Sequence, residues 1–219
     1  MEAEIRALGR EHLRTHGAAG LSLRAIARDL GVVSSAVYRY VPSRDDLLTL
    51  LLVEGYTDLA DAVDAAASAV PPAAHEDRIL VGAHALRAWA VADPARWALL
   101  YGSPVPGYAA PPEATVEPGT RVIAFLLTEI AGADAAGALR ADAAATDPAP
   151  GVHADLAAIR TEFGIDCSDA ATAMAALLWA TMIGAVSLEV FGQYGPDTFT
   201  DPKALFDLQM RCALSAVFA

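Results

Sequence analysis

Residues 21–48 read LSLRAIARDLGVVSSAVYRYVPSRDDLL, and this stretch decides the fold of the first part of the chain. It predicts two short helices on either side of a tight turn at Gly31, because Ser22 suits the start of the first helix and Pro42 ends the second. The apolar side chains that would hold the two helices together are Leu23, Ile26, Leu30, Val32, Val37 and Val41. This spacing is typical of a helix-turn-helix.

The second helix of this pair should expose short polar, aromatic and basic side chains, which reach base edges and phosphates in a major groove. With the flanking residues, the predicted DNA-binding set is Ser22, Arg24, Ser34, Ser35, Tyr38, Arg39, Tyr40 and Arg44. Ser34 and Ser35 equally suit a helix N-cap. Tyr40 could instead pack on the next helix, and Arg24 could simply be solvated. Arg39 is open between a guanine and a phosphate contact.

Charge is distributed unevenly along the chain. The net charge is −12, yet residues 5–44 carry seven arginines against two carboxylates, whereas residues 55–219 carry eight basic and twenty acidic side chains. A basic N-terminal region followed by an acidic remainder, here called the body, is expected when the N-terminal region binds phosphates. Chance clustering of arginine on solvated helix faces is the alternative, and the helix-turn-helix pattern weighs against it.

The remainder of the chain is predicted to be helical, which gives an all-α fold. Hydrophobic residues make up 55% of the sequence, and many of them are alanine, the best helix former. Besides the two short helices, we expect helices at 2–16, 43–69, 73–92, 120–144, 152–163, 169–193 and 202–218, with a short one ending near Tyr101. Residues 102–119 contain five prolines and are expected to form a long connection, a possible lid.

The chain resembles the TetR family of bacterial regulators over residues 5–55. The matching residues are Gly17, Gly20-Leu21-Ser22, Ile26-Ala27, Leu30-Gly31-Val32, Ser34 to Tyr40, Pro42-Ser43-Arg44 and Leu47-Leu48. The family more often has lysine where this chain has Arg44, which keeps the charge. The resemblance implies an all-helical homodimer that regulates transcription, with Tyr38 on a phosphate, a four-helix dimer interface, and a body pocket whose small-molecule ligand weakens DNA binding.

Two domains are therefore predicted: a three-helix helix-turn-helix DNA-binding domain at 1–48, and a larger helical ligand-binding and dimerisation domain at 49–219. The expected function is that of a repressor released from double-stranded operator DNA by a small apolar or aromatic effector. The candidate effector-binding residues are His84, Trp89, Trp97, Tyr101, Phe125, Trp179, Met182 and Ile183. Such residues at helical spacing also suit an ordinary core. Glu129 and Thr181 are further polar candidates, and the scattered Arg87, Arg96 and Arg121 are expected to be solvated.

The uncharged stretch 170–188 could form either a dimer interface or a membrane-spanning helix. Its 19 residues are nearly long enough to span a membrane, but they include Thr172, Thr181 and Ser187 and lack a flanking basic cluster. Its small residues favour close helix approach instead. We therefore predict a homodimer through helices 169–193 and 202–218, and no membrane span.

Other function classes find less support in the sequence. Cys167 and Cys212 have no metal-ligand spacing and suit reduced thiols in a cytoplasmic protein, and the charged N-terminus does not suggest a signal peptide. His12 and His16 stand one helical turn apart but lack a further ligand, so no metal is predicted, nor any cofactor. No nucleophile–base or paired-carboxylate pattern points to an enzyme. An enzyme, or a DNA-bound protein that answers to a protein partner, remain the alternatives.

Overall fold

The computed structural model describes residues 1–140 and 149–219, which form helices and no strand. The all-α fold class is thus confirmed. The helices are α1 (Glu2–His16), α2 (Leu23–Asp29), α3 (Ser34–Tyr38), α4 (Arg44–Ser68), α5 (His75–Ala92), α6 (Pro94–Tyr101), α7 (Pro112–Ala135), α8 (Pro150–Phe163), α9 (Asp169–Val190) and α10 (Pro202–Ser215). Most begin and end within three residues of the predicted bounds.

Five helices begin at a side-chain cap that the sequence could supply. A hydrogen bond from the backbone N–H three residues further along is accepted by the side chains of Ser22, Ser43, Asp93, Ser168 and Asp201. Proline follows the cap in α6 and α10, where its missing N–H removes no helical hydrogen bond. These caps explain why the starts of α2, α4, α9 and α10 could be predicted closely.

The long connection predicted at 102–119 is wrong, because α7 already begins at Pro112 and leaves only residues 102–111 outside helices. Pro112 occupies the first helical position, where proline starts a helix rather than breaking it. Pro118 lies inside the helix, where it forgoes one backbone hydrogen bond. The helix predicted at 120–144 ends at Ala135, and its last predicted residues, 141–144, lie outside the described residues.

Residues Met1–Ala60 and Ala90–Thr120 form one of two structural units. Its core joins the first three helices to the start of α4, with side chains that water does not reach. The core residues are Ile5, Leu13, Leu21, Leu23, Ile26, Ala27, Val37, Val41, Leu47, Leu48 and Leu51. The helix-turn-helix predicted at 1–48 lies within this unit, which also contains α6 and the start of α7.

Residues Asp61–Trp89 and Arg121–Ala219 form the other unit. Its core is built on α5, α7, α9 and α10, from Ile79, Leu126, Leu127, Ile130, Met174, Leu178, Leu214 and neighbours. Of the described helices, α9 has the length and composition to cross a membrane, with a mean hydropathy of 1.7. Because 44% of that stretch is buried within the protein, it equally has the character of a core helix.

Candidate functional site

The turn between α2 and α3 fixes the helix-turn-helix. Gly31 has a φ of 69°, a left-handed conformation that favours glycine. The Gly31 N–H donates to the Arg28 carbonyl at 3.0 Å, and the Val32 N–H donates to the Ala27 carbonyl at 3.0 Å. These two bonds make a Schellman motif, which satisfies the last carbonyls of α2. The chain therefore turns sharply and enters α3 in a defined direction.

The helix α3 has one buried and one exposed side. Val37 is fully buried among the apolar residues of α1, α2 and α4, and anchors the helix. Ser35 and Arg39 are exposed, one helical turn apart, and Ser34 is half-buried. Tyr38 and Tyr40 are 40% and 49% exposed, large values for aromatic side chains that the core could have taken up. The predicted DNA-binding residues of α3 thus form one solvent-facing surface.

The arginines of the helix-turn-helix region divide into paired and unpaired ones. Five of the seven make ion pairs with carboxylates, namely Arg6, Arg10, Arg14, Arg28 and Arg44. Among the described residues, Arg24 and Arg39 make neither an ion pair nor a side-chain hydrogen bond, and both are exposed. One lies in the first turn of α2 and the other directly after α3. The unpaired guanidinium groups therefore lie on α2 and directly after α3.

Arg44 has contacts within the protein that the sequence did not suggest. Its Nη2 donates to the carbonyls of Ala18 and Ala19, at 3.0 and 3.4 Å, and its Nη1 lies 3.5 Å from Asp45. Arg44 thereby ties the turn after α1 to the start of α4. Any residue type can supply a backbone carbonyl that accepts a hydrogen bond, so the sequence does not reveal this contact and only the structure shows it. The Ser22 side chain, also predicted to bind DNA, caps α2.

His12 is buried in the helix-turn-helix region, and its Nε2 lies 2.7 Å from an Asp29 carboxylate oxygen. Its ring centroid is 5.6 Å from that of His16. No group of three or more possible metal ligands lies within the described ranges 1–140 and 149–219. The His12–Asp29 contact links α1 to the end of α2, which is a structural use of this histidine.

The predicted effector-binding residues are divided between the two units. Trp97 and Tyr101 lie on α6 in the first unit, where Trp97 is fully buried and the two ring centroids are 4.5 Å apart. Burial raises the pKa of the Tyr101 hydroxyl above its ordinary value, and nearby Tyr56 adds to the shift. The second unit holds the other six: His84, Trp89, Phe125, Trp179, Met182 and Ile183.

Several of these residues have identifiable structural neighbours. His84 Nε2 lies 2.9 Å from an Asp207 oxygen, and its ring meets the edge of Phe206 with centroids 5.7 Å apart. Met182 is almost fully buried, and Trp179 packs against the core of the second unit. Contacts of this kind occur in an ordinary helical core as well as in the wall of a binding pocket.

The expectation that the body arginines are solvated is wrong for Arg87 and Arg96, whose side chains are only 12% and 13% exposed. Arg87 Nε donates to Glu189 at 2.7 Å, and Arg96 donates to Asp58 at 2.5 Å. Arg121 is more exposed and lies within 2.8 Å of both Asp61 and Asp64. Partners far away in the sequence explain the difference, since spacing along one helix cannot show them.

Glu129, a predicted polar anchor, lies in a buried network of the second unit. Its side chain is 6% exposed and accepts hydrogen bonds from Arg78 Nε and His75 Nδ1, both at 2.8 Å. Arg78 also donates to the carbonyls of Ala67 and Val70, at 2.7 and 3.2 Å, and so caps the end of α4. One carboxylate thus holds together residues that belong to α4, α5 and α7.

The exposed side of α9 and α10 forms an open, largely apolar groove of about 640 Å³ in the second unit. Its lining residues are Ala180, Thr181, Gly184, Ala185, Leu188, Tyr194, Leu208, Gln209, Cys212 and Ala213. Leu208 of α10 is 60% exposed. Leu177 is 53% exposed and shares one face of α9 with Thr181 and Gly184. Exposed leucines beside small residues are typical of a surface that another protein covers.

Two family models match the chain. "Bacterial regulatory proteins, tetR family" matches residues 5–51, and "Tetracyclin repressor-like, C-terminal domain" matches residues 79–213. An HTH-type transcriptional regulator of Mycobacterium tuberculosis is 53% identical over 218 residues, which cover 99% of this chain and 92% of the relative. A counterpart in Mycobacterium bovis has the same identity and coverage.

Solved structures agree with these matches. The crystal structure of the protein SCO4313 superposes with a TM-score of 0.79 at 34% identity, covering 98% of this chain and 95% of that one. A bacterial regulatory protein in the tetR family from Rhodococcus RHA1 gives a TM-score of 0.67 at 19% identity, with 100% and 97% covered. The second likeness concerns the fold alone.

Proposed function

The chain belongs to the TetR family of DNA-binding transcriptional regulators, and on that premise we propose that it is a homodimeric repressor which a small apolar or aromatic ligand releases from its operator. The observation that carries the DNA-binding part is the exposed surface of α3 with the unpaired Arg24 and Arg39 beside it. In this proposal Arg39 meets a guanine edge or a phosphate, and Arg24 meets a phosphate. Ser34, Ser35, Tyr38 and Tyr40 supply hydroxyl groups to the same groove.

Dimerisation through α9 and α10 is supported by the apolar groove and by the exposed Leu177 and Leu208. Gly184 has no heavy atom within 4 Å of where a Cβ would stand, so a partner helix could approach its backbone closely. A two-fold axis is the commonest arrangement for such a surface. Two copies of α3 would then enter successive major grooves, about 34–36 Å apart.

The effector is proposed to bind in the body among residues 80–190, where aromatic and aliphatic side chains predominate and Arg87, Arg121 and Arg160 already have carboxylate partners. A strongly anionic effector would have to displace such a partner, at the cost of leaving a carboxylate unpaired. A neutral, mainly apolar molecule avoids that cost. Of the predicted polar anchors in the second unit, Glu129 is engaged by Arg78 and His84 contacts Asp207. We further propose a cytoplasmic, non-enzymatic protein.

Operator binding tests the first part directly. The operator is selected from a random duplex library with the wild-type protein, and affinity is measured against salt concentration. For a dimer, Arg24→Ala removes two phosphate contacts, so the slope of log K against log salt should flatten by about 1.8. Arg39→Ala should lower affinity about 5- to 150-fold per half-site if it reads a base, and relax specificity at one position of each half-site.

The control variant is Arg6→Ala, because Arg6 is already paired with Glu2 and should leave both slope and affinity unchanged. An Arg24→Ala, Arg39→Ala double variant that binds the operator as tightly as the wild type would overturn the assignment. For the effector, a compound that raises the melting temperature must also weaken operator binding, because linkage between two sites is reciprocal. A stabilising compound that leaves operator affinity unchanged contradicts the proposed coupling.

A further inference from the structure

The residue at the start of α3 departs from what a helix start favours. Val33 is the N-cap of α3, with φ −70° and ψ 142°, and its side chain makes no capping hydrogen bond. Serine, threonine, aspartate and asparagine are preferred at this position because their oxygens accept from the first free N–H groups, and valine is among the poorest choices. Ser22, at the equivalent position of α2, does make such a bond. Valine therefore costs α3 some of its local stability.

Val33 is also the most exposed large apolar residue in the described chain, at 71%. It does not stand in the apolar core that Val37 joins, but precedes Ser34 and Ser35 on the surface that bears Tyr38 and Arg39. A single exposed valine is ordinary elsewhere on a protein. Here the exposed valine also lacks the capping hydrogen bond, and it lies within a polar surface. Features that break a local rule in this way are expected at functional positions.

Double-stranded DNA offers a matching apolar group on the floor of the major groove. The C5 methyl of thymine is the apolar group of the major-groove base edges, and it distinguishes thymine from cytosine. The N-terminal residues of the second helix of a helix-turn-helix are those that meet base edges. Val33 has two methyl groups and no side-chain donor or acceptor, so a methyl is the base feature that it can recognise.

We propose that Val33 is a specificity-determining residue that contacts the C5 methyl of a thymine in each operator half-site. This inference rests on the proposed DNA-binding function and adds to it a base identity at one position. Ser35, Arg39 and Tyr38 supply hydrogen bonds to neighbouring bases and phosphates, whereas Val33 supplies an apolar contact that excludes cytosine by lacking anything to pair with its amino group. The local stability that α3 loses without a cap is offset only in the complex with DNA, by the contact with the thymine methyl.

Replacing thymine by deoxyuridine tests the contact because it removes the methyl and keeps the base pair. In the operator selected by the wild type, each thymine is replaced in turn in both half-sites, and affinity is measured at fixed salt. Wild type should lose about fourfold per half-site at one symmetric position, the value of one buried methyl-sized group, and about sixteenfold for the pair. Val33→Ala should bind the thymine and deoxyuridine operators equally at that position.

Two further variants separate recognition from folding. Val33→Ser supplies the missing cap, so its melting temperature should equal or exceed that of the wild type while thymine discrimination is lost. Val152→Ser alters another exposed valine in the first turn of a helix, α8, and should keep the wild-type discrimination. Wild-type discrimination in Val33→Ala, or an operator with no deoxyuridine-sensitive thymine, would overturn the inference alone. Failure of the wild type to select any duplex would instead overturn the proposed function, and the inference with it.

Discussion

Replacing Glu129 by glutamine should destabilise the protein far more than a charge-neutralising change elsewhere on α7. Glutamine keeps the size of the side chain and one acceptor oxygen, but leaves the Arg78 guanidinium beside a neutral amide. Glu129 is 6% and Arg78 18% exposed, so water compensates little for the lost charge. Breaking a buried ion pair from one side costs about 3–5 kcal/mol.

The expected cost of Glu129→Gln lies below the full range because Arg78 keeps its bonds to the Ala67 and Val70 carbonyls. We expect a loss of about 2–3 kcal/mol in the free energy of unfolding. For a chain of this length that corresponds to a fall of about 4–12 °C in melting temperature. Urea unfolding followed by circular dichroism measures the loss, with an unchanged m-value as the sign that the unfolded state is unaffected.

Glu117→Gln is the matched control, since Glu117 is exposed on the same helix and should change stability by no more than about 0.5 kcal/mol. The variants Glu129→Gln and Arg78→Met, alone and together, complete a double-mutant cycle. A coupling above about 1 kcal/mol is expected between them. Equal stability of Glu129→Gln and Glu117→Gln would refute the reasoning, because the network would then contribute nothing beyond its packing.

Three further outcomes are expected. Leu208→Glu should convert the proposed dimer into monomers at micromolar concentration in light scattering, because it places a charge in the apolar groove; a variant that stays dimeric would locate the interface elsewhere. Gly31→Ala should cost about 1–2 kcal/mol in urea unfolding, because its φ of 69° disfavours a Cβ even though nothing lies within 4 Å of one; an unchanged midpoint would show that the turn relaxes. The pKa of Asp169 is lowered by hydrogen bonds from Arg160 and then His153, so its contribution is present above the unfolded pKa of about 3.9 and is lost as pH falls through the folded pKa. The melting temperatures of wild type and Asp169→Asn should therefore differ at pH 7 and converge in acid; a gap that persists in acid would assign the effect to packing.

The helix-turn-helix could be predicted from sequence because its determinants are local. Ser22 as a cap, Gly31 as a left-handed turn and the burial of Val37 each follow from the residue and its immediate neighbours. Local signals of this kind survive whatever the remainder of the chain does. The start of α7 shows the limit, since prolines mark a helix start and a loop alike, and at Pro112 the sequence could not separate them.

Side-chain partners were the part that the sequence could not reveal. The partners of Arg44 are carbonyls 25 and 26 residues away, and that of Arg87 is a carboxylate 102 residues away. Pairing over such separations depends on how helices pack, which a helical period does not encode. The network of Glu129 was missed for the same reason. The available signal in the sequence was an acidic residue among the apolar residues Leu126, Leu127 and Ile130.

The pairing of five helix-turn-helix arginines within the protein bears on how the dimer would find its operator among the many other sites of a genome. Attraction to arbitrary duplex grows with the number of phosphates that a protein neutralises. With two unpaired guanidinium groups in the helix-turn-helix region of each subunit, the proposed dimer should hold non-operator DNA weakly and leave it soon after each encounter. Its search would then proceed by frequent dissociation and rebinding, with little time spent sliding along the duplex. Base contacts would supply most of the difference in affinity between the operator and other DNA.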